Sequence, residues 1–199
     1  MQTIDIVLYD GFDEVDAIAP FEVLVNGGFT VRLVTLDGAR PVRGSHGAVV
    51  QADGALGDPV AADLVLVPGG GWNDRAEQGA YGEVNRGDLP RRLAEIHAQG
   101  TPLASVCTGG MILAAAGVLD GRHATTHRSA LDELAATPGV TAVTDRVVDE
   151  GEILTCGGVT SGLDLALHLV ERERGGATAA EVAKEMEHDR AGRVRQVHG

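Results

Sequence analysis

Apolar strand-like runs and helical patterns alternate along nearly the whole chain, and this limits the fold more than any other feature of the sequence. Ile4 to Tyr9 reads as a buried strand, and Asp10-Gly11-Phe12 then turns the chain into an apolar-periodic helix over residues 13–24. Gly27-Gly28 closes that helix before a second strand, Thr30 to Leu36. Arg40 to Gln51 is expected to be extended, with a turn at Gly44-Ser45-His46-Gly47. Leu64-Val65-Leu66-Val67 is the short continuous apolar run of a parallel strand covered on both faces, and Pro68-Gly69-Gly70-Gly71 stops it. Next come a helix over 89–99, a strand over 102–106, a helix over 111–116 and a short strand over 123–126. Ser129 is expected to cap a helix ending at Ala136. Val147-Val148 and Ile153-Leu154-Thr155 bracket Glu150-Gly151 as a hairpin, and helices over 163–172 and 177–187 complete the order.

Such alternation predicts a mainly parallel sheet with helices on both faces. Its ligand site belongs outside the carboxyl ends of the strands. The chain has 199 residues and no linker rich in Pro, Gly or Ser, so one domain over 1–188 is expected, with 189–199 as a solvated tail. Aromatic residues make up only 3%, which leaves Val, Leu, Ile and Ala to build the core. The net charge of −13, from 29 acidic and 16 basic residues, argues against nucleic acid or an anionic membrane as partner, since phosphate neutralisation needs clustered Lys and Arg. No signal peptide or spanning segment is read, so a cytoplasmic location with reduced thiols is expected for the two cysteines.

One segment carries chemistry. In Ser105-Val106-Cys107-Thr108-Gly109 a small residue stands two before, and a glycine two after, a candidate nucleophile. A sharp strand-to-helix turn needs that spacing, because larger flanking side chains would collide across the bend. The bend would set the sulfur at a helix N-terminus, where thiolate is favoured, and would aim the amide of Thr108 at a developing oxyanion.

Other segments are less specific. Pro68-Gly69-Gly70-Gly71 lacks the spacing of a dinucleotide fingerprint, and it reads equally as a plain turn or as a source of a second oxyanion donor at the Gly70 amide. Asp16 by itself is a helix-surface acid beside Asp13 and Glu14. His127 is a candidate base or orienter, whereas His123 and His127 are too far apart along a strand to share a metal. No metal site is expected. Cys156 is read as a buried structural thiol.

Gly11-Phe12, Val15-Asp16 with Pro20, Pro68-Gly69-Gly70, the segment around Cys107, Ala124-Thr125-Thr126-His127, Arg146-Val147-Val148 and Thr160-Ser161-Gly162 together resemble the ThiJ/PfpI superfamily. The resemblance implies a class I glutamine amidotransferase-like fold, a flavodoxin-like three-layer sandwich with a nucleophile elbow. Asp16, Thr108 and the Ala-Thr-Thr-His stretch are similar to the isonitrile hydratase branch, which also includes sensor domains of AraC-type regulators. The resemblance further implies a homodimer without cofactor acting on a small molecule. Its site would hold a Cys107 thiolate, oxyanion donors at Gly70 and Thr108, and Asp16 bonded near the sulfur. Arg128 stands where that branch carries an aromatic residue, and Gly110 replaces a more common Ser.

The expected activity is that of a lyase hydrating an isonitrile to an N-substituted formamide. The alternatives are glyoxalase or deglycase action on 2-oxoaldehydes with His127 as base, and an oxidative-stress sensor through Cys107. An amidotransferase or protease is disfavoured because Thr108 replaces the His that comes after the nucleophile in the protease-like branch. A DNA-binding regulator is disfavoured too, since no helix-turn-helix segment is read.

Overall fold

The computed structural model describes residues 1–57 and 60–197. Its centre is an eight-stranded sheet built from β1 (Thr3–Val7), β2 (Thr30–Thr35), β5 (Gly54–Ala55), β6 (Leu64–Val67), β7 (Leu103–Ser105), β10 (Val147–Asp149), β11 (Ile153–Cys156) and β12 (Val194–Gln196). In space they run β12-β10-β11-β7-β6-β1-β2-β5. All neighbours are parallel except β10 and β11, the expected hairpin. The remaining strands form two small ribbons: β3 (Pro41–Arg43) with β4 (Val49–Gln51), and β8 (His123–Ala124) with β9 (Thr141–Ala142).

Among the described residues, seven helices cover the sheet. Helices α1 (Glu14–Asn26), α6 (Ser161–Arg174) and α7 (Gly176–Glu185) pack together as one layer, and α2 (Ala80–Arg86), α3 (Asp88–Ala98) and α4 (Gly109–Ala115) as another. A short 3₁₀ turn, Arg128–Ala130, leads into α5 (Leu131–Ala135). The fold is the mainly parallel sheet with helices on both faces that the alternation predicts, and the flavodoxin-like α/β sandwich that the resemblance implies. Every residue of β6 is fully buried, which accounts for a run of Leu and Val with no polar alternation.

Helix α1 starts where the Asp13 carboxylate accepts the N–H of Val15. Its Pro20 removes one intrahelical donor, and the ring lies against Gly162 of α6, where an added Cβ would sit 3.0 Å from Pro20 Cγ. The expected Ser129 cap is corrected: the imidazole of His127 accepts from the Ser129 amide and caps the 3₁₀ turn itself. The tail is corrected as well. Val194 to Gln196 pair in register with Val147 to Asp149, and Arg195 Nε bonds Asp145 Oδ2 at 2.6 Å, so this segment is an edge strand.

Candidate active site

Strands β6, β7 and β11 lie side by side, and their carboxyl ends feed three turns into one place. After β7 the chain passes through Cys107 with φ at +55°, a left-handed conformation that costs a non-glycine residue about 1 kcal/mol or more. Neighbouring turns hold it there. The Cys107 amide donates to Gly157 O at 2.9 Å, its carbonyl accepts from Thr126 Oγ1 at 2.8 Å, and Gly109 N returns to Val106 O. This is the strand-to-helix elbow expected from the sequence, and α4 begins at Gly109.

The turn after β6 comes so close that a Cβ on Gly69 would lie 2.5 Å from both the amide nitrogen and the hydroxyl of Thr108. Only glycine fits. The Gly70 amide then donates to Thr108 Oγ1 at 3.0 Å. The expectation of Gly70 as second oxyanion donor is therefore corrected, because its N–H is committed to a side chain from the elbow. The amides that face the Cys107 sulfur are those of Thr108 and Val159, and both favour thiolate. Val159 carries no motif of its own in the sequence. Its signal is the Gly157-Gly158 pair before it, which lets the chain after β11 curl over the thiol with Val159 at φ +30°.

Asp16 comes from α1 and is fully buried. Its Oδ2 accepts from the Gly69 amide at 3.0 Å, and its Oδ1 has no conventional hydrogen-bond partner. Burial pushes its pKa up to about 8, the nearby Asp13 charge adds to this, and bonds from Gly69 and Cys107 counteract it. The thiol of Cys107 is pushed up to about 12 by burial, then by the Asp16 charge, against the pull of the two amides. At the sulfur, loss of water and the Asp16 charge oppose the amides of Thr108 and Val159, and a protonated Asp16 removes the second of the two raising effects.

Cys107, Thr108, Gly70 and His127 line a single open cleft of about 310 Å³, along with Asp13, Trp72, Asn73, Asp74 and Val159. Asp16 lies behind Cys107, and the imidazole of His127 lies at the rim with Nδ1 2.6 Å from Ser129 Oγ. Trp72, Asn73 and Asp74 form no recognisable motif, although they directly follow the glycine turn. Cys156 is fully buried and carries its pKa well above the usual thiol value through burial. His123 faces elsewhere, with Nδ1 2.9 Å from Glu150 Oε1. Among the described residues, Asp13, Glu14 and His46 bring ligand atoms within 4.8 Å of one another, a grouping that their spacing in the chain does not predict. The Glu14 carboxylate there is already taken by the amides of His46 and Ala48. A larger cavity of about 580 Å³ at the ends of β1 and β2 excludes Cys107, and its arginines are answered by acids such as Glu83 and Asp88.

The molecule is thus a flavodoxin-like α/β sandwich with a buried acid, Asp16, beside a cysteine elbow. Residues 2–172 match the DJ-1/PfpI family, and the chain belongs to it. Isonitrile hydratase of Pseudomonas putida is 36% identical over 187 residues, covering 93% of this chain and 78% of that one. The HTH-type transcriptional regulator CdhR of Pseudomonas aeruginosa is 33% identical over 154 residues, 77% of this chain but only 43% of the regulator. Among solved structures, a ThiJ/PfpI family protein from Pseudomonas syringae superposes with a TM-score of 0.83 at 27% identity, over 94% of this chain and 75% of that one.

Proposed function

We propose that the protein hydrates isonitriles to N-substituted formamides, with Cys107 as nucleophile and Asp16 as proton donor and acceptor. The observation that carries this reading is the buried Asp16–Cys107 pair, in which the carboxyl keeps its proton at neutral pH. Attack on an isonitrile carbon requires a nucleophile and an acid together, because that carbon must gain a proton as the new bond forms. The Cys107 sulfur bonds to the terminal carbon while Asp16 protonates that carbon, and the thiol proton passes to the Asp16 carboxylate. The product of this step is an S-linked thioimidate, R–N=CH–S. Water then adds to the carbon, the C–S bond breaks, the sulfur recovers a proton and R–NH–CHO leaves. The amides of Thr108 and Val159 steady charge on the sulfur throughout. No step needs a cofactor.

The similarity to isonitrile hydratase along nearly the whole chain supports this reading. Incubation with an alkyl isocyanide should give the matching formamide, detected by mass spectrometry, and Cys107→Ser should abolish it. Wild-type protein with an intact thiol and no formamide would overturn the proposal.

The regulator relative supports a second reading, a small-molecule sensor that binds without turnover. Direct sensing of oxidants through Cys107 is another form of it. Glyoxalase chemistry with His127 as base is less favoured too, because His127 lies at the rim and the buried acid is Asp16. We also propose a cytoplasmic homodimer. An exposed apolar stripe of Val15, Ile18 and Val25 on α1, next to exposed Val49 on β4, supports the dimer. Among the described residues no helix is long and apolar enough to cross a membrane.

A further inference from the structure

Behind the elbow, on the far side of the Thr126 and Gly157 segments that hold the Cys107 backbone, lies a second cavity of about 210 Å³. It is lined by Thr125, Arg128, Asp145, Arg146 and Ser161, among others, and shares no residue with the Cys107 cleft. Chain direction explains the division: His127 faces the cleft, while its neighbours Thr126 and Arg128 face the second cavity.

The polar groups lining this space are unevenly satisfied. Thr125 and Ser161 are each only 2% exposed, yet neither hydroxyl has a hydrogen-bond partner among the described residues. Both residues line the cavity, so two hydroxyls without a protein partner are free to donate there. Arg146 bonds Asp164 through Nε and Thr160 through Nη2, which leaves its Nη1 without a protein acceptor among the described residues. Asp145, the acid on the wall, is held by Arg195. Arg128 is exposed and forms no ion pair among the described residues, in a chain of net charge −13 whose other arginines are mostly paired. Ser161 opens the 14-residue α6, whose first amides are already bonded to Gly158, Val159 and Thr160, so its hydroxyl is the group left to meet a ligand.

We propose that this cavity binds a small oxyanion, a carboxylate or inorganic phosphate, with Arg128 as the uncompensated cation and the hydroxyls of Thr125 and Ser161 as donors. A guanidinium and convergent hydroxyls match the planar or tetrahedral oxygens of such a group, and they would repel a cation. The cavity has room for a group of that size and not for a large organic molecule. The site stands independently of the chemistry at Cys107.

The test is calorimetric titration of the full chain with inorganic phosphate and, separately, with acetate, at an ionic strength fixed with chloride. Saturable one-site binding is expected for at least one of them, and the one that binds identifies the source of the oxyanion. Arg128→Ala should weaken it at least tenfold and Ser161→Ala about threefold. Lys184→Ala, a surface cation on α7, and Cys107→Ser should leave it unchanged. Absence of saturable binding in both titrations, or binding by Arg128→Ala equal to wild type, would overturn the proposal.

Discussion

The backbone amide of Gly70 donates to the hydroxyl of Thr108 at 3.0 Å, tying the turn after β6 to the elbow after β7. These residues are 38 apart in sequence, and the bond closes one wall of the cleft that holds Cys107. Thr108→Val keeps the shape of the side chain and removes the acceptor. Stability should fall by about 1 kcal/mol, the net worth of such a bond, while Thr108→Ser should lie near wild type. Thermal melts of the two variants check this. Turnover of isocyanide should fall several-fold in the valine variant alone, since a freed Gly70 amide lets the turn shift against the sulfur.

The protonation of Asp16 sets the expected pH dependence of turnover. Its pKa stands at about 8, so the acid that protonates the substrate carbon is present at neutral pH and lost above that point. The apparent kcat/KM should hold level to about pH 7.5 and then decline roughly tenfold per unit. Asp16→Asn removes the donor and should lower the plateau by a factor of about 100 or more, with the alkaline limb gone. A pH–rate series on both proteins measures this. An unchanged limb in the asparagine variant would assign the titration to another group.

The same carboxyl leaves a mark on stability. A folded pKa of about 8, raised from the ordinary carboxylate value of 3.8, means that between those values the native state holds a proton the unfolded chain has released. Stability from this group is therefore complete below about pH 4 and is lost as pH rises toward 8, by up to about 1.4 kcal/mol per unit. Asp149 and Glu14 act in the opposite sense. Burial works to raise their pKa values, but the bonds to His168 and His46 and to backbone amides outweigh it, so both are lowered and their contribution disappears in acid. Wild type should thus be most stable in mildly acidic solution and fall away on both sides. Asp16→Asn keeps the acceptor for the Gly69 amide and should flatten the fall between pH 5 and 8. Denaturant melts at several pH values decide it.

Much of this layout is legible in the chain, for reasons that differ by residue. The apolar run Leu64 to Val67 becomes β6 residue for residue because nothing polar interrupts it. Cys107 is marked by the small residues its bend requires. Helix α2 leaves little trace because Ala80 to Arg86 is short, contains Gly82 and has no side-chain cap. The β12 edge strand is hidden by charge: Arg193 and Arg195 look like tail residues until Asp145 is seen to meet Arg195 across 50 positions. Desolvation has no sequence signature at all. The positive end of the turn does favour a thiolate at Cys107, but a burial that only the packed chain reveals outweighs it.

The apolar stripe on α1 gives the last prediction. Val15, Ile18 and Val25 are 45%, 37% and 44% exposed and fall within a narrow arc of the helix, and Val49 on β4 is 54% exposed. The ribbon carrying Val49 is anchored to the start of α1, because Glu14 accepts the amides of His46 and Ala48. The ribbon and the start of α1 are thus held together, and burying these exposed side chains against a second copy would remove apolar area from water on both sides of a twofold axis. Light scattering should report a dimer at micromolar concentration. Ile18→Glu combined with Val49→Glu should give a folded monomer, since like charges would meet their own copies across the axis. Because Asp16 and Ile18 occupy opposite faces of the same helix, the monomer should also show altered turnover. A double variant that remains a dimer would remove this surface from consideration, and a monomeric wild type would remove the dimer itself.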